Sequence, residues 1–468
     1  MQQHLIFYKL KKLKNMSNQK SATIIGSGLV GSLWAVYLAK AGYQVTTYDR
    51  RSDLRNVALS AGKSINLATS FRGWKALDTL GIGDAIREIA IPMYSRTIHA
   101  LDGTISTLPY GKENEAIYSV SRGEINAKLL DIAGKNENVN LNFDVDCTFA
   151  DTKTGKFSLK NNKTGEETHH QTDLLFATDG AFSAVRYHGF QKLDRFSYSQ
   201  NYIEDGYREI LLPANEDGSH KLEKNSLHIW PRGRFMLIAL PNFDGSFTCT
   251  LFMPFDNHEY CFNKLTDREK VEDFFKEVFP DFYEMMPNVA NRWEEHPLSA
   301  LALIRCYPWT NEKMALMGDA AHATVPFYGQ GMNCGFEDCT VMYELMLEHK
   351  ENWPVIFKEY EKSRKPNCDA MQDLSLQNYT VMRDKVTDPV FKMIHKIEHR
   401  MAHLFPEDYT PLYSMVSFSN TEYKHALKYG NEQQEAIREL IEQHELNDET
   451  PFNQLDEIIN QYFKSTIL

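Results

Sequence analysis

Two well-separated groups of residues in this chain have the types and spacing to do chemistry. The first is Ile24-Ile25-Gly26-Ser27-Gly28-Leu29-Val30-Gly31. An apolar run from Ala22 to Ile25 enters Gly26, where a tight turn is required. Gly28 carries no Cβ, so backbone there can approach a pyrophosphate, and Gly31 lets the next helix pack close to the strand. That helix, expected from about Leu29 to Lys40, aims free N–H groups and a positive dipole end at phosphate. A second strand, Gln44 to Tyr48, ends at Asp49, near the expected spacing of about 20 residues, and an acid there accepts hydrogen bonds from a ribose diol. The second group is Gly318-Asp319-Ala320-Ala321-His322 followed by Gly329-Gln330-Gly331-Met332-Asn333. A strand, Met314 to Met317, delivers Asp319, whose carboxylate can bond ribityl hydroxyls. The glycines then open a helix whose positive end suits the anionic edge of a reduced flavin. Together the two groups point to FAD.

The elements that must position them read as a layered α/β protein. The first third alternates strands and helices. A buried-type strand, Asp173 to Ala177, leads into Thr178-Asp179-Gly180, with Ser183 and Arg186 just beyond. The lysine- and threonine-rich stretch from Asp151 to Gln171 reads as a polar hairpin. From Tyr198 to Phe255 the pattern turns β-rich, as in Phe235 to Leu240 and Ser246 to Phe252. After Gly335 helices dominate, and Phe391, Ile394, Ile397, Met401 and Leu404 recur at helical spacing. The expected architecture is a Rossmann-like FAD-binding domain over 21–195 and 306–372, an inserted β-sheet substrate domain over 196–305, and a C-terminal helical region over 373–468. Residues 1–20 read as a disordered tail, with Met16 an alternative start.

Composition narrows the class. A chain of 468 residues with 42% hydrophobic content can build more than one core. A net charge of −12, with no basic stripe interleaved with aromatics, excludes nucleic acid as the main partner. The seven cysteines are odd in number and scattered, which suggests reduced, packed thiols in a cytoplasmic setting. Cys334 and Cys339 are the closest pair in sequence and lack neighbouring metal-type ligands. His395, His399 and His403 lie four apart without the glutamate of a zinc-protease helix, so they read as a solvated face. No apolar run reaches the roughly 18 residues of a membrane span.

The glycine fingerprint, Asp179-Gly180 with Ser183 and Arg186, and Gly318-Asp319-Ala320-Ala321-His322 together resemble the single-component aromatic flavoprotein hydroxylases, the group typified by para-hydroxybenzoate hydroxylase. The resemblance runs from about Thr23 to Phe418. It includes Lys63 to Ala68, Ser119 to Arg122, His228 to Arg232, Phe247 to Phe255, Val325 to Asn333 and Leu412 to Val416. These stretches look like the branch that acts on L-kynurenine. The resemblance implies hydroxylation of L-kynurenine to 3-hydroxy-L-kynurenine with FAD, NADPH and O2, through a flavin C4a-hydroperoxide. It places FAD contacts on Val30, Asp49, Arg50, Arg51, Ala68, Arg122, Asp319, Met332 and Asn333, and the fingerprint glycines Gly26, Gly28 and Gly31 with Asp179 complete the expected cofactor site. It places substrate contacts on Arg96, Tyr110, Asn378 and Tyr413. The chemistry agrees, since an arginine forks onto a carboxylate while a phenol and an amide add hydrogen bonds. NADPH is expected at a transient surface site, because no second glycine fingerprint follows a strand. The sequence departs from the family pattern at Asp49, where many relatives carry glutamate, and at Thr178, where a cysteine is familiar. It departs again in a polar tail from Glu432 where mitochondrial relatives carry a membrane anchor. Two alternatives remain open at this point: a flavin monooxygenase for another aromatic or an alkene, and a non-catalytic flavin-binding redox module.

Overall fold

The computed structural model describes residues 20–56, 66–112, 114–382, 388–447 and 449–467. The expected tail over 1–20, Lys20 apart, and the Lys63-Ser64-Ile65 portion of the family-like stretch lie outside them.

Ser21–Ile25 is the strand that organises the first layer. Its inward side chains are wholly buried, and it pairs in parallel with Gln44–Tyr48 on one side and Leu175–Ala177 on the other. The six-stranded sheet runs Thr310–Asn311, Met314–Leu316, Leu175–Ala177, Ser21–Ile25, Gln44–Tyr48, Val139–Asn142, so the strand that carries the late motif returns beside the one that carries the first. All its pairings are parallel except the edge pair Thr310–Asn311 with Met314–Leu316. Strands buried on both faces must read as apolar runs, and Leu175, Phe176, Ala177, Met314, Ala315 and Leu316 are each fully buried. The helix Leu29–Lys40 covers the sheet with Leu33, Trp34, Tyr37 and Leu38 inaccessible to solvent. The polar hairpin is found as Lys156–Asn161 against Glu167–Gln171, with Val145–Asp151 as a third strand.

The second sheet has seven strands, in the order Ser299–Tyr307, Ser197–Leu212, Phe247–Pro254, Met236–Pro241, Ser226–Pro231, Ser95–His99, Ile105–Pro109. Here the expected domain limits need correction. The sheet is not confined to 196–305, because Ser95–His99 adds in parallel to Ser226–Pro231 and brings Ile105–Pro109 with it. An unpaired edge at Ser226–Pro231 would leave a row of backbone N–H and C=O groups without partners, and strands from the N-terminal segment satisfy them. The expected break at 372/373 falls inside one continuous helix, Trp353–Thr380, whose Met371 and Leu374 both belong to the core of the first sheet. Beyond it, Met393, Ile394, Ile397 and Met401 of the helix Pro389–Leu404 form a separate core with Ile437 and Leu440 of Tyr423–Gln443 and Leu455 and Ile459 of Phe452–Ile467. His395, His399 and His403 are on its exposed side.

Candidate active site

At the fingerprint, the three glycines have different reasons to be glycine. Gly26 has φ +102°, and a Cβ there would lie 2.5 Å from the Thr178 carbonyl oxygen. A Cβ on Gly31 would lie 1.9 Å from the Gly26 carbonyl oxygen. Both are demanded by the fold itself. Gly28 is not: the nearest atom to its added Cβ is Arg51 Nη2, at 3.8 Å. The space above Gly28 is thus bounded by a cation and is left open by the protein, the cradle a pyrophosphate needs. Thr178, at the position where a cysteine is familiar, ties the loop down by donating from Oγ1 to the Gly26 oxygen at 2.7 Å.

Asp49 is buried at the strand end. Its Oδ2 accepts from the Ser27 N–H at 2.8 Å and its Oδ1 from the Arg51 N–H at 2.9 Å, while the Arg51 side chain, 59% exposed, pairs with it. With the Arg51 side-chain bonds each carboxylate oxygen already accepts two hydrogen bonds, so a ribose hydroxyl would take the place of the exposed Arg51 guanidinium. Arg50 and Arg122 are exposed, Arg122 as the first residue of the helix Arg122–Gly134. Ala68 lies on Asn66–Thr69, which pairs with the strand Ile117–Ser121 that leads into that helix. Asp179 has one carboxylate oxygen bonded to the Val185 N–H at 3.2 Å and the other buried without a partner, and burial raises its pKa.

The first and last motifs meet at Val30. Its Cγ2 would be 2.9 Å from a Cβ on Gly318 and 2.7 Å from one on Gly335. Asp338 holds the late turn, accepting from the Gly318 N–H at 2.8 Å and contacting His322 Nε2 at 2.6 Å and Arg364 Nε at 2.8 Å. Burial opposes a charge on His322, but Asp338 outweighs it and lifts the imidazole to about 9. Arg186 joins this turn to the Asp179-Gly180 loop by donating to the carbonyls of Ala320 and Ala181. Asp319 itself is exposed at the start of Asp319–His322, with its carboxylate free to face a ligand. Met332 and Asn333 sit in the first turn of Gly331–Glu348. The side chain of Asn333 is committed to the protein: it donates to the carbonyls of Ala68 and Gly329 and accepts from the Ser70 N–H. Any contact it makes with a cofactor would be through its backbone at the helix end.

Two helices point uncapped N-termini at this region. Neither Leu29–Lys40 nor Gly331–Glu348 has a side-chain cap on its first turn, a state they share with helices such as Phe71–Leu80 and Trp353–Thr380. Free donors at a helix start are stabilised by an anionic partner. The residues fit FAD: the open space at Gly28 beside Arg51 and the uncapped start of Gly331–Glu348 both suit anionic groups.

On the second sheet, Arg96 meets the other expected substrate residues. Its guanidinium carbon lies 5.3 Å from the Tyr110 ring centre and 5.7 Å from that of Tyr413. Its Nε is buried with no hydrogen-bond partner among the described residues. Tyr110 stacks on Tyr413 at 5.1 Å, and Tyr328 stacks on the same ring at 5.6 Å. Burial raises the phenols of Tyr110, Tyr328 and Tyr413, so all three stay neutral donors. Asn378, from the end of Trp353–Thr380, has no hydrogen bond to the other three among the described residues. It donates 2.7 Å to the Phe327 carbonyl and so fixes the turn that presents Tyr328. Phe327 stacks on Tyr379 at 4.0 Å and meets Phe252 edge-on at 4.9 Å, and Ala68 packs against the same cluster. The apolar cluster thus adjoins the flavin-side motif. Tyr328, Phe327 and Phe252 were not singled out from sequence, although the aromatic pair immediately before Gly329 was a usable signal.

Residues 19–375 match the family described as "FAD binding domain". A kynurenine 3-monooxygenase of Flavobacterium johnsoniae is 49% identical over 91% of this chain and 95% of its own length. One from Dictyostelium discoideum is 41% identical over 90% and 93%. The chain belongs to the kynurenine 3-monooxygenase family. Solved structures share the fold at lower identity. They include 2-methyl-3-hydroxypyridine-5-carboxylic acid oxygenase, with TM-score 0.65 and 20% identity over 80% of this chain and 95% of that one. The p-nitrophenol 4-monooxygenase of Pseudomonas putida has TM-score 0.62 and 15% identity over 94% and 99%. Among the described residues, no helix of this family member is long and apolar enough to cross a membrane.

Proposed function

We propose that this chain hydroxylates L-kynurenine to 3-hydroxy-L-kynurenine, using FAD, NADPH and O2. The observation that carries the substrate choice is Arg96, a partly buried cation whose Nε has no protein partner, set against Tyr110 and Tyr413 in an apolar cluster beside the cofactor motifs. An α-amino acid with an aromatic side chain satisfies both halves: its carboxylate completes the guanidinium, and its ring lies in the aromatic pocket.

Gly28, Arg51, Asp49 and Asp319 would hold the cofactor's phosphates and hydroxyls, and the first turn of Gly331–Glu348 its ring. Bound FAD supplies electron transfer from NADPH and activation of oxygen. The protein's own residues do the rest. Arg96 fixes the carboxylate end, and the neutral phenols of Tyr110 and Tyr413 donate without competing for its charge. Phe252, Phe327 and Tyr328 exclude water from the ring and hold it in one orientation toward the start of Gly331–Glu348. NADPH acts from a transient surface site. The test is NADPH oxidation with and without L-kynurenine, with the product identified by mass. Substrate-stimulated oxidation yielding the mono-hydroxylated amino acid is expected, and FAD-loaded protein that shows none overturns the reading.

A further inference from the structure

The core behind the flavin-facing helix contains a pair of thiols that the proposed hydroxylation does not use. Cys334 lies in the first turn of Gly331–Glu348, directly after Met332 and Asn333, and Cys368 lies on Trp353–Thr380. Their sulfurs are 3.4 Å apart, both wholly buried. His322 completes a set of potential ligand atoms lying within 4.8 Å of one another. The set resembles a metal site, but its charges do not suit one. Arg364 Nη2 is 3.2 Å from Cys334 Sγ, and His322 is already paired with Asp338 at 2.6 Å. Two fixed positive groups beside the sulfurs repel a metal cation and favour a thiolate instead.

We propose that Cys334 and Cys368 are a peroxide-oxidisable pair, in which hydrogen peroxide converts the two thiols into a disulfide joining Gly331–Glu348 to Trp353–Thr380. Cys334 differs from the buried cysteines whose thiols are raised. Burial pushes Cys147 and Cys306 up to about 12 and also raises Cys249 and Cys339. At Cys334 burial acts the same way, but the Cys368 hydrogen bond and the charges of His322 and Arg364 outweigh it and hold its thiol below the ordinary value. Cys368 is pushed up, so it keeps its proton and donates to Cys334. The two cysteines thus divide into a nucleophile and a resolving thiol.

The chemistry balances with peroxide as the only oxidant. The Cys334 thiolate, its proton lost to solvent, attacks one peroxide oxygen and the O–O bond breaks. The departing hydroxide takes the Cys368 proton and leaves as water. The Cys368 thiolate then displaces hydroxide from the Cys334 sulfenic acid, and that hydroxide recovers a proton from solvent. Two thiols are oxidised, and one peroxide becomes two waters. The reaction itself does not depend on which substrate the protein takes.

The test uses the full FAD-loaded chain treated with near-stoichiometric hydrogen peroxide, then denatured in an alkylating reagent for intact-mass and peptide analysis. Two of the seven thiols should escape alkylation, so the intact mass should carry five adducts on a chain lighter by two hydrogens, and one cross-linked peptide should join Cys334 to Cys368, reversibly with dithiothreitol. Cys368→Ser should leave a sulfenic acid at Cys334 that dimedone traps, and Cys334→Ser should abolish the reaction. Seven unchanged thiols, a cross-link elsewhere, or a chelatable metal that occupies the pair in the purified protein would each overturn the proposal. The wild-type peptide map decides this even if a variant folds poorly.

Discussion

Replacing Arg96 with alanine tests the proposed substrate site at its most exposed point. The guanidinium has a buried Nε with no protein partner and lies 5.3 Å and 5.7 Å from two tyrosine rings. Ring contacts of this kind contribute about 0.5–2 kcal/mol, which the apolar pocket can partly recover by repacking. The larger loss is the carboxylate, which would enter a desolvated site with no counter-charge, at a cost of about 2–5 kcal/mol. At about 1.4 kcal/mol per tenfold, Arg96→Ala should weaken L-kynurenine binding by a factor of roughly thirty to several thousand. Arg96→Lys should restore only part of this, because an ammonium cannot form the planar fork. Flavin content should be unchanged in both, since Arg96 sits on a strand of the second sheet and is part of neither cofactor motif. The assay is an L-kynurenine titration of wild type and both variants, following NADPH oxidation and hydroxylated product together. Wild-type affinity and coupling in Arg96→Ala would remove the residue from the site and, with it, the physical reason for preferring an α-amino acid substrate.

The fingerprint glycines should separate by mechanism. Gly26→Ala should lower the thermal midpoint, because its Cβ would fall 2.5 Å from the Thr178 oxygen at a φ of +102°, a strain of about 1–3 kcal/mol. Gly28→Val should instead fold normally and purify colourless, its side chain filling the phosphate path, so a full, tightly bound flavin spectrum in that variant would refute the assignment. His322 is raised from 6.5 to about 9, so its stabilising contribution is complete below pH 6.5 and disappears as pH rises through 9. The shift corresponds to about 3 kcal/mol. The wild-type thermal midpoint should fall across that window and Asp338→Asn should be less stable and flatter there; identical slopes in the two proteins would sink the idea. Burial depresses His228 from 6.5 to about 4, so the unfolded chain binds its proton first and stability should decline as pH falls from 6.5 towards 4. His228→Gln should flatten that limb of the curve measured by denaturant titration, and an unchanged limb would count against it.

The glycine fingerprint, Asp49 and the strand before Asp319 were legible in the sequence because their causes are local. A turn with φ near +100° must be glycine, and a helix packed against its own preceding strand must have no Cβ at the contact. Strands covered on both faces must be apolar throughout, as Leu175 to Ala177 and Met314 to Leu316 are. The same locality explains what the sequence left undetermined. Nothing in Ser95–His99 announces that it pairs with Ser226–Pro231 rather than with the first sheet, because strand pairing is chosen by the edge that needs covering and not by the strand's own period. Arg96 therefore meets Tyr110 through an adjacent strand, but Tyr413 only through the packing of the helix Leu412–Ser417 onto the sheet domain. Asn333 read as a cofactor contact, yet its side chain closes hydrogen bonds with Ala68, Gly329 and Ser70, since a buried amide takes whatever backbone partners surround it. Cys334 lay nearest Cys339 in sequence, but five residues along a helix turn the two thiols to different faces. It is the packing of Trp353–Thr380 against Gly331–Glu348 that brings Cys368, His322 and Arg364 around Cys334, and that arrangement, set by side chains from three elements filling one dry space, is decided by tertiary structure alone.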